Sequence, residues 1–501
     1  MNSVLILNLG SNDLQLKDDK CEDMKKIFSN DNKMLEMLEK NHGIADNFKL
    51  FTRKILNNYP KGIEYIDFPI IKSCMEKIKN DLKNDKLTEI IFVTTDQDHK
   101  KDTIKLGEIL IKIVNDKKDK KLKENIGFSG FNGTPKLKTW CINENPSDYD
   151  LMMKKYEYNL NNKLKGAEKL FIEITGGTPA MSTALLVNAT NQVNIKVIPF
   201  YIDRKSKDAY SLTISESLRK YDSKKQICIF IKNQNYKGAE TLVRDFVSKY
   251  DVSEKKQVNI IFNMIQSASS RVEFDFDSAE KYIKTVKDDS PVSRYVCSNF
   301  QKYLQQLKDK NKIYLLNELK NNALYKYNNG AYTDFLGRIF RIQEDIYSNI
   351  LIRKNVVTCN KEDTKLFLRG EAFSDNQRDI LNSIEIEPGV KLQYKNCELN
   401  IESMKKILDV IVEKNCLEFE LLNECSKLKG LKSLRNKTIL AHGYKAVSKD
   451  KIDDEIGDTI EFLNNLILKY KKVFDTDIND DNFYEKNGEF NNHLVKLVEE
   501  I

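Results

Sequence analysis

The sequence predicts an α/β domain with a parallel sheet, followed by two all-helical domains. Apolar, β-branched strand patterns alternate with helical patterns up to about residue 221, a succession typical of a parallel α/β sheet. Beyond that point Gly and Pro become scarce and helical periodicity dominates. A chain of 501 residues also exceeds what one hydrophobic core normally accommodates. We therefore predict domains over residues 1–221, 222–325 and 326–501.

The first domain contains four predicted strands, and each of them is apolar along most of its length. These strands are 4–10, 86–97, 169–177 and 195–203. Helical patterns lie between or after them, at 70–84, 102–115, 147–164 and 179–192. Continuous apolar strands indicate a sheet covered by helices on both faces. The lysine-rich stretch 115–125 is predicted to be a loop.

The rest of the chain carries long amphipathic patterns that predict helices. They lie at 236–250, 293–308, 331–351, 404–414 and 454–474. Apolar residues recur in them at helical spacing, so each helix has one face for a hydrophobic core.

Composition excludes several classes of protein. Lysine and arginine total 82 against 75 acidic residues, and a net charge of +7 permits a nucleic-acid partner without requiring one. Nine cysteines without a C-x-x-C pair, together with only four histidines, predict no metal site and reduced thiols in a cytoplasmic protein. No apolar run is long enough to span a membrane. The N-terminus reads as a strand and not as a signal peptide.

Three predicted strand ends carry polar residues that suit an anionic ligand. Carboxyl ends of parallel strands meet at one edge of a sheet, so we expect these residues to lie close together. They are Gly10, Ser11 and Asn12 after the first strand, Thr95 and Gln97 after the second, and Gly176, Gly177 and Thr178 after the third.

The third of these strand ends, in ITGGTPAMSTALL, is the most informative. Glycines let backbone amides approach an anion, and Pro179 suits the first turn of a helix whose N-terminus favours phosphate. Thr178 can add a hydroxyl donor. The spacing matches neither a Walker loop nor a dinucleotide motif, so neither ATP hydrolysis nor NAD chemistry is supported. A Gly-Gly turn taken alone is more often a tight strand–helix connection, and it is the presence of three polar strand ends at one edge that brings the phosphate-site interpretation level with it.

The stretch RNKTILAHG contains Arg435, Asn436 and His442. If it is helical, Arg435 and His442 lie seven residues apart on one side of the helix, and Gly443 marks the helix end. Histidine is the usual general acid or base, and arginine can hold a phosphate. RNA supplies its own nucleophile, the 2′-hydroxyl, so cleavage by such a pair needs no metal. An arginine can also fall this close to a histidine by chance. The other histidines, at 42, 99 and 493, are predicted to be surface or loop residues.

The combination of these motifs resembles the CARF–HEPN ribonucleases, the ancillary effectors of type III CRISPR systems. ITGGTPAMSTAL (174–185) is similar to a CARF loop, FLGRIFRIQEDI (335–346) to the first long HEPN helix, and LRNKTILAHG (434–443) to the R-x4–6-H motif. The resemblance implies a Rossmann-like CARF domain, a helical linking domain and a C-terminal HEPN domain, in the order of the three predicted domains.

The resemblance also implies an activity. Members of the family are homodimers, activated by a cyclic tetra- or hexa-adenylate bound in a composite CARF pocket. They cut single-stranded RNA without metal and leave 2′,3′-cyclic phosphate and 5′-hydroxyl ends; some also degrade their activator slowly. Arg435 would bind the scissile phosphate, His442 would act as general acid/base, and Asn436 would orient one of them. The eight strand-end residues would line the activator pocket. No cofactor, membrane or stable protein partner is expected.

Two alternatives remain open from the sequence. The chain could be a non-catalytic, ligand-sensing regulator whose helical domain only dimerises, although a scaffold needs neither Arg435 nor His442. It could also be a HEPN toxin, although the N-terminal ligand-type domain argues against that interpretation.

Overall fold

The computed structural model describes most of the chain and divides it into two compact units. The described residues are 2–40, 43–82, 85–116, 120–131, 133–164, 166–192, 194–203, 205–250, 255–286, 290–359, 366–383, 385–387, 390–391 and 399–501. The units, here called unit 1 and unit 2, are Met1–Asp222 and Ser223–Ile501.

Unit 1 is built on one six-stranded sheet. The strands of unit 1, six of which form this sheet, are β1 (Asn2–Asn8), β2 (Gln15–Leu16), β3 (Ile66–Asp67), β4 (Lys86–Thr95), β5 (Lys136–Ile142), β6 (Lys169–Glu173), β7 (Lys196–Ile202) and β8 (Ala209–Ser211). The sheet order is β5-β4-β1-β6-β7-β8; β8 is antiparallel to β7, and the other neighbours are parallel. β2 and β3 form a separate antiparallel pair.

Helices cover both faces of this sheet. They are α1 (Cys21–Ile27), α2 (Asn32–Glu39), α3 (Gly43–Asp46), α4 (Phe48–Asn58), α5 (Pro69–Leu82), α6 (Ile104–Asn115), α7 (Lys120–Asn125), α8 (Tyr149–Lys163) and α9 (Pro179–Thr190). In β1, Leu5 and Leu7 join the core with α4, α5 and α6, whereas Val4 and Ile6 join the core with α8 and α9. This alternation is the period of a strand buried on both faces.

The predicted fold class is confirmed, with local corrections. Two strands of the sheet were not predicted: β5, because lysines interrupt its apolar residues, and β8, because it has only three residues. The stretch 115–125, predicted to be a loop, contains the short helix α7, whose Leu122 is buried in the unit 1 core.

Unit 2 is mostly helical. Its helices are α10 (Ile214–Lys232, which begins in unit 1), α11 (Tyr236–Lys249), α12 (Lys255–Val272), α13 (Phe276–Thr285), α14 (Pro291–Lys308), α15 (Lys312–Asn328), α16 (Tyr332–Arg353), α17 (Asp375–Ser383), α18 (Ile401–Ile411), α19 (Leu417–Ser426), α20 (Lys429–Asn436), α21 (Lys449–Ile456), α22 (Thr459–Phe474) and α23 (Glu489–Glu500). Four short strands, β9 (Val357–Cys359), β10 (Leu366–Leu368), β11 (Glu385–Glu387) and β12 (Val390–Lys391), form two antiparallel pairs. Within the described ranges no helix is long and apolar enough to cross a membrane.

Unit 2 contains two hydrophobic cores. One lies within residues 313–473. The other combines residues 227–307 with residues 483–498, so that Leu494 and Val498 of α23 are buried with α12 and α14. This return of the chain to the linking segment was not predicted, and the predicted boundary at 325 stays a prediction.

A buried ion cluster lies in unit 2. Arg271 of α12 donates two hydrogen bonds to the Glu318 carboxylate of α15, at 2.8 and 3.0 Å, and two more to Asp481. Arg271 and Glu318 are 1% and 0% exposed. The Arg271 guanidinium also lies 4.2 Å from the centre of the Phe483 ring. Every charge in the cluster is therefore paired away from water.

Candidate functional site

The carboxyl edge of the sheet carries a polar cleft of about 380 Å³. Six of the eight residues predicted for an anion site line it: Gly10, Ser11, Thr95, Gln97, Gly177 and Thr178. They come from three different loops, which parallel strand ends bring together as predicted. Asn12 and Gly176 are not among the lining residues.

Gly176 packs the loop and does not face the cleft. Its N–H donates to the Glu173 carboxylate at 3.2 Å, and the N–H of Thr175 donates to the same carboxylate at 2.5 Å. A Cβ on Gly176 would lie 1.9 Å from the carbonyl oxygen of Asn8. Burial raises the pKa of the Glu173 carboxyl, which is 1% exposed. The expected phosphate contact from the Gly176 N–H is therefore corrected, because that N–H is already used.

Gly177 and Thr178 occupy the cleft end of the same loop. Gly177 has a φ of +76°, a left-handed conformation that favours glycine. The Thr178 side chain caps α9: it accepts from the Met181 N–H at 3.2 Å and donates to the Pro146 carbonyl. Its hydroxyl proton is thus engaged within the protein. In the part of the chain that the structure describes, the N–H groups of Gly177 and Thr178 have no partner, so they remain for an anion at the helix N-terminus.

The loop after β4 is closed by hydrogen bonds within it. The buried Asp102 carboxylate accepts from the backbone N–H groups of Gln97 and His99, and from Lys49 at 3.1 Å. The Thr95 N–H donates to the Thr103 hydroxyl at 3.0 Å. A loop held in this way presents its lining side chains from a fixed backbone.

Several lining residues were not predicted. His99 and Lys101 line the cleft from the loop after β4; His99, predicted to be a surface or loop residue within the polar loop that follows the second predicted strand, is exposed there. Asn145, Pro146 and Ser147 line it from the loop after β5. That loop was missed because its strand was missed. The sequence feature that could have indicated this strand and loop is the apolar alternation in KLKTWCI, followed by an Asn-Pro turn.

A second set of predicted residues lies in unit 2, at the end of α20. Arg435 is half-buried in the last turn of this helix, and its guanidinium lies over the Phe340 ring of α16, 5.1 Å from the ring centre. Asn436, the last residue of α20, is exposed. Arg435 forms no ion pair with any carboxylate in the described ranges, so its donors are available to a phosphate.

The structure corrects the prediction that Arg435 and His442 share one helix. α20 ends at Asn436, and His442 lies exposed in the turns that follow. Thr438, which is 1% exposed, organises these turns: its hydroxyl donates to the Arg435 carbonyl at 2.7 Å, and its own carbonyl accepts from the Gly443 N–H at 3.1 Å. Thr438 therefore ties both ends of the motif together, although sequence reasoning assigned it no role.

Apolar side chains are exposed beside this motif. Ile439, Leu440 and Tyr444 are 72%, 39% and 95% exposed, on either side of His442. Such a group of exposed apolar residues marks a surface for another molecule.

His493 does not join this site. His493 is buried in α23, where Nε2 lies 2.5 Å from the Ser293 hydroxyl oxygen, so its predicted surface position was wrong. His42 lies outside the described residues.

Comparisons with known proteins bear on both sites. Residues 303–490 match the Cas_Csm6 HEPN domain family, in a range that includes Arg435 and His442 and lies slightly upstream of the predicted domain 326–501. Among solved structures, the chain is similar to Enterococcus italicus Csm6 bound to cyclic hexa-2′-fluoro-hexa-dAMP, with 14% sequence identity, a TM-score of 0.53 and 99% of each chain covered. At this identity the likeness shows the fold. No curated protein matches the sequence significantly.

Proposed function

We propose that the chain is a CARF–HEPN ribonuclease: a cytoplasmic endonuclease of type III CRISPR antiviral defence that cuts single-stranded RNA when a cyclic oligoadenylate binds to it. The match of residues 303–490 to the Cas_Csm6 HEPN domain family supports this proposal. The observation that carries this proposal is the Arg435–His442 motif, which lies within the matched HEPN range with both side chains accessible and unpaired by described carboxylates.

The cleft in unit 1 is the proposed activator site. Phosphates of the activator contact the free N–H groups of Gly177 and Thr178, while Ser11, Gln97 and Lys101 offer side-chain donors around them. A ring with repeated nucleotides presents the same groups around its symmetry axis. Two copies of one cleft, related by a two-fold axis, therefore match such a ring. Enterococcus italicus Csm6 was solved with a cyclic hexanucleotide of this kind, which supports the proposed ligand class.

The proposed cleavage step needs only groups from the protein and the RNA. His442 takes the proton of the 2′-hydroxyl, whose oxygen attacks the adjacent phosphorus. The bond from phosphorus to the 5′-oxygen breaks, and that oxygen receives a proton, also from a histidine. Arg435 holds the phosphate oxygens as charge develops on them, and Asn436 orients the phosphate or the histidine. The products are a 2′,3′-cyclic phosphate and a 5′-hydroxyl end. No metal takes part in these steps.

A homodimer is part of the proposal. Ile439, Leu440 and Tyr444 expose apolar surface on both sides of His442. Covering this surface with the same surface of a second copy would bury it and bring two Arg–His pairs near each other. One copy then supplies the base and the other the acid.

The test uses a fluorescent single-stranded RNA in EDTA, with cyclic tetra- and hexa-adenylate added separately. The wild type is compared with Arg435→Ala and His442→Ala. Lys432→Ala is the matched control, because Lys432 is an exposed cation of the same helix α20. We expect cleavage only with one of the two rings, its loss in both site variants, and full retention in the control.

Three results would count against the proposal. Cleavage that persists in His442→Ala would remove the assigned general acid/base. Cleavage that requires a divalent metal would overturn the proposed chemistry. Ligand binding without any cleavage would favour a ligand-sensing regulator.

A further inference from the structure

Unit 2 contains a second polar cleft, of about 840 Å³, that belongs to neither site described above. Its walls come from the end of α10 and the turn after it, from the second half of α15, and from residues 480–486. The lining is dominated by amide side chains and lysines, with two tyrosines and a phenylalanine among them. Volume and composition are those of a site for a small polar ligand.

Gln234 is the observation that points to a ligand. It lines the cleft and is 6% exposed, yet its side-chain amide has no hydrogen-bond partner among the residues that the structure describes. Its amide atoms are not among the described polar atoms that are buried without a partner, so they stay open to the cleft, where a ligand can pair with them. Its backbone has a φ of +58°, which is uncommon outside glycine. The Tyr325 hydroxyl, donating to the Gln234 carbonyl at 3.2 Å, helps to hold it there.

The cations of the cleft indicate the charge of that ligand. Lys232, Lys320 and Lys486 line it, and within the described ranges none of them forms an ion pair with a carboxylate. Lys320 donates a hydrogen bond to the Asn464 side-chain oxygen at 3.3 Å; burial lowers its pKa, and the nearby Asp480 carboxylate partly opposes that shift. Of the two lining carboxylates, Asp480 already accepts from Asn317 and from the Asn482 N–H; Glu485 is exposed. The cleft therefore offers unpaired positive charge.

Amides, lysines and aromatic rings together match one chemical class. A side-chain amide can pair with the edge of a nucleic-acid base through one donor and one acceptor. Lysine binds phosphate, and a tyrosine such as Tyr325 offers a face for stacking. We propose that this cleft binds a nucleotide, with its phosphate on Lys320 and its base edge on Gln234, either as a free mononucleotide or as one unit of a single-stranded RNA.

The experiment measures binding by the full-length protein in the His442→Ala background, so that RNA stays intact whether or not the chain is a nuclease. The probes are a fluorescent single-stranded RNA and, separately, AMP and ATP. Two variants test the cleft. Lys320→Gln removes the cation, and Gln234→Asn keeps an amide that tolerates the left-handed backbone but shortens its reach. Lys302→Gln is the control, because Lys302 is an exposed lysine of α14 outside the cleft.

We expect Lys320→Gln to weaken binding about tenfold, as loss of one charge-assisted contact does, and Gln234→Asn to weaken it several-fold. The melting temperature of Lys320→Gln should fall little, because the ammonium forms no ion pair with a carboxylate in the described ranges and burial disfavours its charge. If RNA binding weakens while AMP and ATP do not bind, the ligand is single-stranded RNA. If AMP or ATP binds and the same variants weaken it, the ligand is a free nucleotide. If neither variant changes binding of any probe relative to Lys302→Gln, the proposal is overturned.

Discussion

Adding one methyl group at Gly176 should disable the activator cleft. In Gly176→Ala the new Cβ would lie 1.9 Å from the Asn8 carbonyl oxygen, whereas real Cβ atoms essentially never come within 3.0 Å of another heavy atom. The loop must therefore move by at least 1.1 Å, the difference between these two distances. The Asn8 oxygen is a backbone atom and the new Cβ is bonded directly to the backbone, so no side-chain rotation can relieve the contact.

The structure allows the cost to be worked out. The displaced loop loses the two hydrogen bonds that Thr175 and Gly176 donate to Glu173, each of which contributes about 1 kcal/mol. Glu173 is 1% exposed, so a carboxylate left short of donors adds about 1–2 kcal/mol more. We expect the free energy of unfolding of unit 1 to fall by about 3–4 kcal/mol. Affinity for the cyclic oligoadenylate should fall at least about tenfold, because the N–H groups of Gly177 and Thr178 move with the loop.

Unit 1 offers its own probe for this measurement. The single tryptophan, Trp140, is buried in β5, so its fluorescence during urea unfolding reports on unit 1. Isothermal titration calorimetry gives the affinity for cyclic tetra- and hexa-adenylate. Gly166→Ala is the control: Gly166 has a φ of +83° and open space around it, so alanine there adds only about 1 kcal/mol of backbone strain. If Gly176→Ala keeps both the wild-type midpoint and the wild-type affinity, the reasoning about this loop is wrong.

Three further predictions concern unit 2. Arg271→Met should cost about 3–5 kcal/mol because Glu318 and Asp481 are left as buried carboxylates without their cation, and adding Glu318→Met and Asp481→Asn should recover most of it in urea unfolding; an equally unstable triple variant would refute the pairing. Burial raises the pKa of Asp345 from 3.8 to about 6, which favours its protonated form in the folded state, so stability falls as pH rises through this window. Asp345→Asn should abolish this fall in stability and stabilise the folded protein at pH 7 by on the order of 1–2 kcal/mol, measured in thermal melts followed by circular dichroism. An unchanged dependence of stability on pH would contradict this. Phe340→Leu should lower kcat/KM for RNA about 2- to 5-fold, because Arg435 loses the ring that holds it; equal rates would show that the ring does not position it.

The sheet of unit 1 could be predicted wherever a strand contains a continuous apolar run. β1 and β4 each contain such a run, and their ends fix where the polar loops meet. β5 was not predicted because Lys136 and Lys138 interrupt its apolar residues, and the polar loop after β5 was therefore not predicted either. The hydrogen-bond partners of individual atoms could not be predicted from the sequence. That the Gly176 N–H serves Glu173 and not a ligand depends on loop geometry, which residue types do not specify.

The motif in unit 2 shows a different limit. Periodicity placed Arg435 and His442 on one helix because nothing between them is a Gly or Pro. The helix instead ends at Asn436, where the Thr438 hydroxyl takes the Arg435 carbonyl as its acceptor and offers the backbone an alternative to the next helical turn. The cleft around Gln234 could not be foreseen at all, since residues 230–235, 320–329 and 480–486 meet only after folding.

The return of residues 483–498 to the core of residues 227–307 has a consequence for how the protein is made. On the ribosome, unit 1 has all its strands once residue 211 has emerged, and it can fold early. The core of 227–307 must wait for Phe483, Phe490 and Leu494, which are synthesised after the whole Arg435–His442 segment. Its helices stay incomplete and expose apolar surface throughout that interval. The proposed ligand-sensing unit can therefore exist as a finished domain before the proposed nuclease is assembled, so a nascent chain would carry the proposed sensor without the activity.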